Sequence, residues 1–512
     1  MSPTKRIFIN TLTHHVRSIV YICLSLYSTR LVLHALGESD YGVFSLVAGV
    51  VALLGFLTNA MVVTTQRQLS FLHGKGDLNH VRRMFSNSLL LHLLFGLIIV
   101  IILCAIEPLL FNGFLKIDAA RTPTATKVYY LVILSLFITF LAAPYRALFI
   151  ARENIVYISI VDVLDGIFKL FFAIWLLTYG ADRLIAYAWT TVAIMMFNYL
   201  AFALWAHTHF EESVLLPHRS DINRQDIREL TGFAGWTIYS MGCIIGRTQG
   251  VTIILNKFFG TAINAAYGIA QHVFAAVMFV SQAIVNAMSP QLIKAEGRGD
   301  RQHMLQLSEA LSKYSFLLLS LIVIPMAFEM PAILQIWLDE VPDYTIMLCR
   351  FILITALCDQ TTIGLNTANQ AVGKIRIFSL TVNTTKVLTL PVFWLILSQG
   401  YPVEAAMWCY LLFEIACAFI RFPILKYTAG LSIRHFVAHV FLRILIPTAG
   451  AITICWIIVN FVNSPYRILL TTTASVCTSI VFIWLFALEQ PERTKVLQYI
   501  QRHLRLNHAD TL

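Results

Sequence analysis

Charge is what this 512-residue sequence has least of. Asp, Glu, Lys and Arg make up only 12% of it, where soluble domains carry about 25%. That scarcity excludes an ordinary water-soluble fold. Paired cysteine motifs are missing too. Nine cysteines are present, all within apolar runs and none in a CxxC, which excludes a disulfide framework or a cysteine metal site. No Walker A loop occurs, so no ATP site lies within the chain. Gly74-Lys75-Gly76 sits in a polar stretch without the strand that a nucleotide fold needs. No cleavable leader pattern opens the sequence. Lys5 and Arg6 lead into an apolar run too long for a signal peptide, without a small-residue cleavage site, so it reads as an uncleaved first span.

Apolar residues fill the space that charge leaves. They make up 58% of the chain, and mean hydropathy is +0.74. Apolar runs long enough to cross a bilayer recur along the whole length. They predict an all-α polytopic membrane protein with about fourteen transmembrane helices of roughly 20 residues or more. The limits read as 9–33, 41–63, 84–106, 128–150, 155–178, 184–206, 232–255, 262–286, 306–328, 345–366, 376–398, 403–425, 437–460 and 465–487. Lys and Arg gather in one set of connections, about two dozen against about six, which places that set and both termini in the cytoplasm. The inner stretch 64–83 holds Arg67, Lys75, Arg82 and Arg83. The outer stretch 329–344 has no Lys or Arg but carries Glu329, Asp339, Glu340 and Asp343.

A repeat organises these spans. Arg67-Gln68-Leu69 followed by Gly74-Lys75-Gly76-Asp77 is echoed by Pro290-Gln291-Leu292 followed by Gly297-Arg298-Gly299-Asp300. The offset is roughly 220 residues, and Gly37 pairs with Gly260 at the same offset. Six spans separate the copies, so the halves are parallel, an arrangement that suggests a pathway along their shared axis. The expected organisation is two parallel six-helix lobes, 1–206 and 232–427, joined by a cytoplasmic linker at 207–231. An appended helix pair follows at 428–488, and then a cytoplasmic amphipathic tail at 489–512. In that tail Val496, Leu497, Ile500 and Leu504 share one face, which suits either a helix lying on an anionic leaflet or a solvated one.

Charges inside spans are costly and mark candidate sites. Arg17 and Arg30 lie on the first span. Arg247, with Gln249 two residues on, lies on the seventh, roughly 22 Å from its inner end at 1.5 Å per residue. No acidic residue lies one turn from Arg247. Guanidinium groups suit phosphate, so the three arginines, with Gln249 beside Arg247, are candidate substrate-binding groups; the alternative is that Arg17 and Arg30 snorkel to opposite interfaces, for which Arg247 lies too deep. On the fifth span Asp162, Asp165 and Lys169 share a face. Asp165 and Lys169 form an i,i+4 pair. Asp162, left over by that pairing, is a candidate ion-coupling group; a structural ion pair is the alternative. Asp359, Lys386 and Glu414 have no local partner and can either pair between helices or line a cavity. His435 and His439 lack a third ligand for zinc. No catalytic set, metal site or cofactor is expected.

The run Arg30-Leu31-Val32-Leu33-His34-Ala35-Leu36-Gly37, then Asp40-Tyr41-Gly42-Val43-Phe44, resembles the start of polysaccharide flippases. These belong to the multidrug/oligosaccharidyl-lipid/polysaccharide exporter superfamily. Asn256 to Gly260, Asn264 to Ala270, and Ile336-Trp337-Leu338 before Val341-Pro342 resemble its second half. The resemblance implies a non-enzymatic flippase of the bacterial inner membrane. It would move undecaprenyl-pyrophosphate-linked oligosaccharide by alternating access, for surface polysaccharide biosynthesis. Implied partners are the lipid-linked oligosaccharide, membrane lipids, and a polysaccharide polymerase with its chain-length machinery; nucleic acid is not among them. Two alternatives stand beside it. One is a cation-coupled multidrug exporter of the same superfamily, against which the cationic first and seventh spans argue. The other is a membrane glycosyltransferase or polymerase, which would need larger outer loops than roughly 20 residues.

Overall fold

The computed structural model describes residues 20, 24, 27–37, 40–49, 51, 54–111, 117, 121–217, 221–338, 341–462, 464–490 and 492–494. Among these residues everything regular is helical. Residues 27–37 form α1, and helical residues 40–49 follow it. Then come α2 (Gly55–Lys75), α3 (Leu78–Leu109), α4 (Thr122–Ala151), α5 (Ile155–Thr178), α6 (Arg183–His209), α7 (Arg224–Phe259) and α8 (Thr261–Gly297). The second half continues with α9 (Arg301–Phe328), α10 (Met330–Trp337), α11 (Thr345–Gln360) and α12 (Ile363–Val372). The last four are α13 (Ile375–Ser398), α14 (Val403–Ala429), α15 (Ile433–Phe461) and α16 (Arg467–Ala487). Ten of the described helices are long and apolar enough to cross a membrane, and α11 with α12, bent by 46°, makes an eleventh. The fifth span, α5, is 24 residues long but carries three charged groups.

The sequence explains where helices begin and end. Asp77, Asn154 and Asp182 each accept a hydrogen bond from a backbone N–H of the turn they open, capping α3, α5 and α6. Gly76 ends α2 in the left-handed region at φ 78°. Its repeat partner Gly299 does the same after α8, at φ 80°. Two of the connections are shorter than the apolar pattern implies. The 64–83 stretch is almost wholly helical, because α2 runs on to Lys75 and α3 starts at Leu78. Polar residues there lie on helix ends that project past the apolar run, so hydropathy marks the membrane edge and not the helix end. The 207–231 linker is likewise helical at both margins, with α6 ending at His209 and α7 starting at Arg224. The apolar face expected at 496–504 lies outside the described residues.

The chain divides into two compact units. The first is Met1–Gly242 with Asn286–Arg301 and Gln370–Ser379; the second is Cys243–Val285, Gln302–Asn369 and Leu380–Leu512. Segments of the second sequence half therefore fold with the first. An aromatic core holds the first unit: the Tyr145 ring meets those of Phe85 and Tyr199, and Phe149 meets Tyr157, Phe202 and Phe210. The Tyr145 hydroxyl, buried in it, donates to the Val214 carbonyl at 2.9 Å. The second unit packs Leu255, Tyr267, Leu319, Leu353 and Phe393. There the last two helices lie on α9, through Ile444 and Ala487 against Phe316 and Leu317. Arg467 fastens α16 to the fully buried Glu329 at 3.1 Å, and Lys313 of α9 holds Glu492 at 2.8 Å.

Candidate functional site

A cavity of about 400 Å³ opens in the first unit between α2, α4, α5 and α6. The charged face of α5 lines it. As the spacing predicts, Lys169 pairs with Asp165, at 2.7 Å. Asp165 also accepts from the Asn198 amide of α6 at 2.8 Å. Asp162 is not left over. Arg146 of α4 grips it with both guanidinium arms, at 3.0 and 3.1 Å. The Arg146 guanidinium also lies 5.8 Å from the centre of the Phe202 ring. The cavity wall is thus charge-balanced, two basic groups against two carboxylates. Its strongest contact is a planar fork that would be released if Asp162 were neutralised. Sequence reasoning missed Arg146, although a lone arginine in span four and the one aspartate of span five without an i,i+4 partner were a readable signal. Asn198 gave none.

The second unit buries a larger network. Arg247 is 7% exposed and donates to Glu414 of α14 at 2.6 Å. Its guanidinium lies 4.5 Å from the centre of the Tyr410 ring. Arg247 has no acidic residue one turn away, as expected, but is paired across helices by a residue 167 positions off that no local spacing could reveal. Lys386 of α13 bridges Glu414 at 2.7 Å and Asp359 at 3.4 Å. Arg421 holds Asp359 at 2.6 Å. It also donates to the Thr362 hydroxyl and the Asp359 carbonyl, which supports the bend between α11 and α12, where helix hydrogen bonding is interrupted. Three basic groups meet two carboxylates here, so one positive charge is in excess.

Of the other candidates, Arg30 is exposed on α1 and Gln249 is exposed on α7. Arg17 lies outside the described residues. Asp40 is buried and held by Arg121 at 2.5 Å. His435 and His439 stack at 3.8 Å and face Glu309 and Glu489 respectively.

The repeated motif forms a third feature, inside the first unit. Arg67 donates to the carbonyls of Gln370 and Ala371 at 3.1 and 2.9 Å, closing the C-terminus of α12. Gly373 follows at φ 82°, and a Cβ there would strike the Arg67 guanidinium. The other copy does the converse. Gln291 and Lys294 of α8 reach Glu153, in the turn after α4, at 3.3 and 2.6 Å. Between these two clasps Gly74 and Gly297 cross backbone to backbone. A methyl on either would meet a backbone carbonyl, that of Lys294 or of Phe71. Each copy of the motif thus grips the turn between the fourth and fifth spans of the other half.

No protein-family model matches the chain, and no curated protein matches it. Solved structures do. ClbM, a MATE transporter in complex with Rb+, has a TM-score of 0.71 at 16% identity, covering 85% of this chain and 96% of its own. A MATE structure in complex with MaL6 has a TM-score of 0.71 at 13% identity, covering 84% of this chain and 97% of that one. A MOP superfamily transporter from Pyrococcus furiosus has a TM-score of 0.67 at 15% identity, covering 84% and 96%. This chain has the MATE fold. With ten apolar helices, it is a multi-pass membrane protein. These neighbours align with 84–85% of this chain.

Proposed function

We propose that the protein is a flippase, moving undecaprenyl-pyrophosphate-linked oligosaccharide across the bacterial inner membrane by alternating access. In this reading the two six-helix lobes, 1–206 and 232–427, rock about a shared axis, with both termini in the cytoplasm. The observation that carries it is the sign of the charge inside the spans. Every carboxylate in the two clusters has a basic partner, and Arg247, Lys386 and Arg421 outnumber Asp359 and Glu414. A site built for cationic drugs would carry the opposite excess. A pyrophosphate must shed hydration to cross, and guanidinium forks replace part of it. Arg146 is the best-placed fork in the first unit, since a proton or cation arriving at Asp162 would free it for the headgroup. Arg30 is a second candidate contact. No step requires bond-making chemistry.

The experiment is reconstitution. Purified protein in liposomes should carry a lipid-linked oligosaccharide to the opposite leaflet with its mass unchanged. A second reading, cation-coupled drug export, is favoured by the neighbours, one of which is described as a multidrug resistance MATE family transporter. Efflux of a cationic dye without movement of the lipid-linked sugar would select it. The P. furiosus neighbour is described as having reverse polarity of its binding pocket, suggesting a different function, so pocket polarity differs among proteins similar to this chain.

A further inference from the structure

A separate pocket of about 390 Å³ lies in the first unit where the end of α2, the start of α7 and the turn after α12 meet. Its lining is strongly basic. Arg67, Arg228, Lys374 and Arg376 face Glu229, the one carboxylate among the lining residues. Arg67 is 8% exposed, and its donors already serve Gln68, Gln370 and Ala371. These bonds use three of its five N–H donors and fix the guanidinium in the pocket wall, so it contributes mainly field. Arg228, Lys374 and Arg376 are exposed, and no ion pair holds them among the described residues. Arg376 lies 5.8 Å from the centre of the Trp236 ring. Phe233, Trp236 and Ile375 give the same pocket an apolar side.

We infer that this pocket binds the phosphate headgroup of an anionic lipid of the inner leaflet. Basic pockets at the inner ends of spans suit such headgroups, and a tryptophan suits the interface. The mixed lining fits a lipid better than a free phosphate, because the phosphate meets the basic groups while the chains leave along the aromatic side. The volume falls within the range of small-molecule sites. The pocket joins α2 from the first half of the sequence to α7 and the 372–376 turn from the second. A bound headgroup would neutralise the crowding of four basic groups and hold the Arg67 clasp shut. The leaflet assignment rests on the orientation proposed above; the binding itself does not.

Native mass spectrometry of the full chain, with phosphatidylglycerol or phosphatidylcholine added singly, tests the site. Phosphatidylglycerol should be retained at the lower concentration. Arg228→Gln, Lys374→Gln and Arg376→Gln should each weaken its retention by about fivefold, the effect of one basic group at a membrane surface, and leave phosphatidylcholine unchanged. Arg434→Gln, an exposed arginine of the second unit, should change neither. Equal retention of the two lipids by the unaltered chain, or an intact preference in the triple variant, overturns the proposal. Inorganic pyrophosphate at equal concentration should not displace the lipid; displacement would overturn the lipid assignment in favour of a soluble phosphate. A protein that keeps this preference but moves no lipid-linked oligosaccharide would reject the flippase reading and leave the pocket standing.

Discussion

At the scale of single residues, the ion pairs decide most. Removing Arg247 leaves Glu414 buried with Lys386 alone. Arg247→Ala should cost about 3 kcal/mol or more, read as a lower Tm in detergent, and Arg247→Lys should recover part of it. Asp162→Asn should weaken dependence of transport on an ion gradient while expression stays normal. Exchanging the pair, Arg146→Asp with Asp162→Arg, should restore more of the activity than either single change retains. Unaltered gradient dependence in Asp162→Asn would return this pair to a structural role. Outside the spans, Glu212 gives a pH test. Burial alone would raise its pKa, but hydrogen bonds from His73 and Arg152 overcome that and pull it down to about 2. A depressed carboxylate stabilises the fold above its unfolded pKa, about 4.3, and loses that contribution as pH falls toward 2. Glu212→Gln should therefore lower Tm at pH 7 and flatten its fall between pH 5 and 3.

At the scale of elements, the clasps are the most exacting parts. Gly373→Ala would strain a left-handed backbone and displace Arg67, and Gly74→Ala would push α2 off α8. Each should cost about 1–3 kcal/mol, measured by thermal unfolding, whereas Gly55→Ala, with open space around it, should cost little. The sequence made the spans legible because each must be apolar over a bilayer's thickness, and the Asp165–Lys169 pair legible because it is local. It hid the partners of Asp162 and Arg247, which come from other helices and depend on how those helices pack. It also hid the ends of α2 and α7, where polar helix continues past the membrane edge. The bend at Thr361–Thr362 carries no proline, and Gly364, two residues on, is the only glycine near it.

At the scale of the whole molecule, orientation and the duplicated plan remain the quantities to measure. Reporter fusions after Asp300 should read internal and fusions after Glu340 external; the reverse pattern at both sites would invert the proposed topology. The repeat was readable only in fragments, and the longest of them lies at the crossing of α2 and α8. Gly74 and Gly297 are twins in the sequence and neighbours in space. After a duplication, copies are free to drift wherever each faces different surroundings. Where the copies face one another, each is the other's environment, and a change in one must be tolerated by its twin. The ancestral spelling is still visible at the place where the protein touches itself.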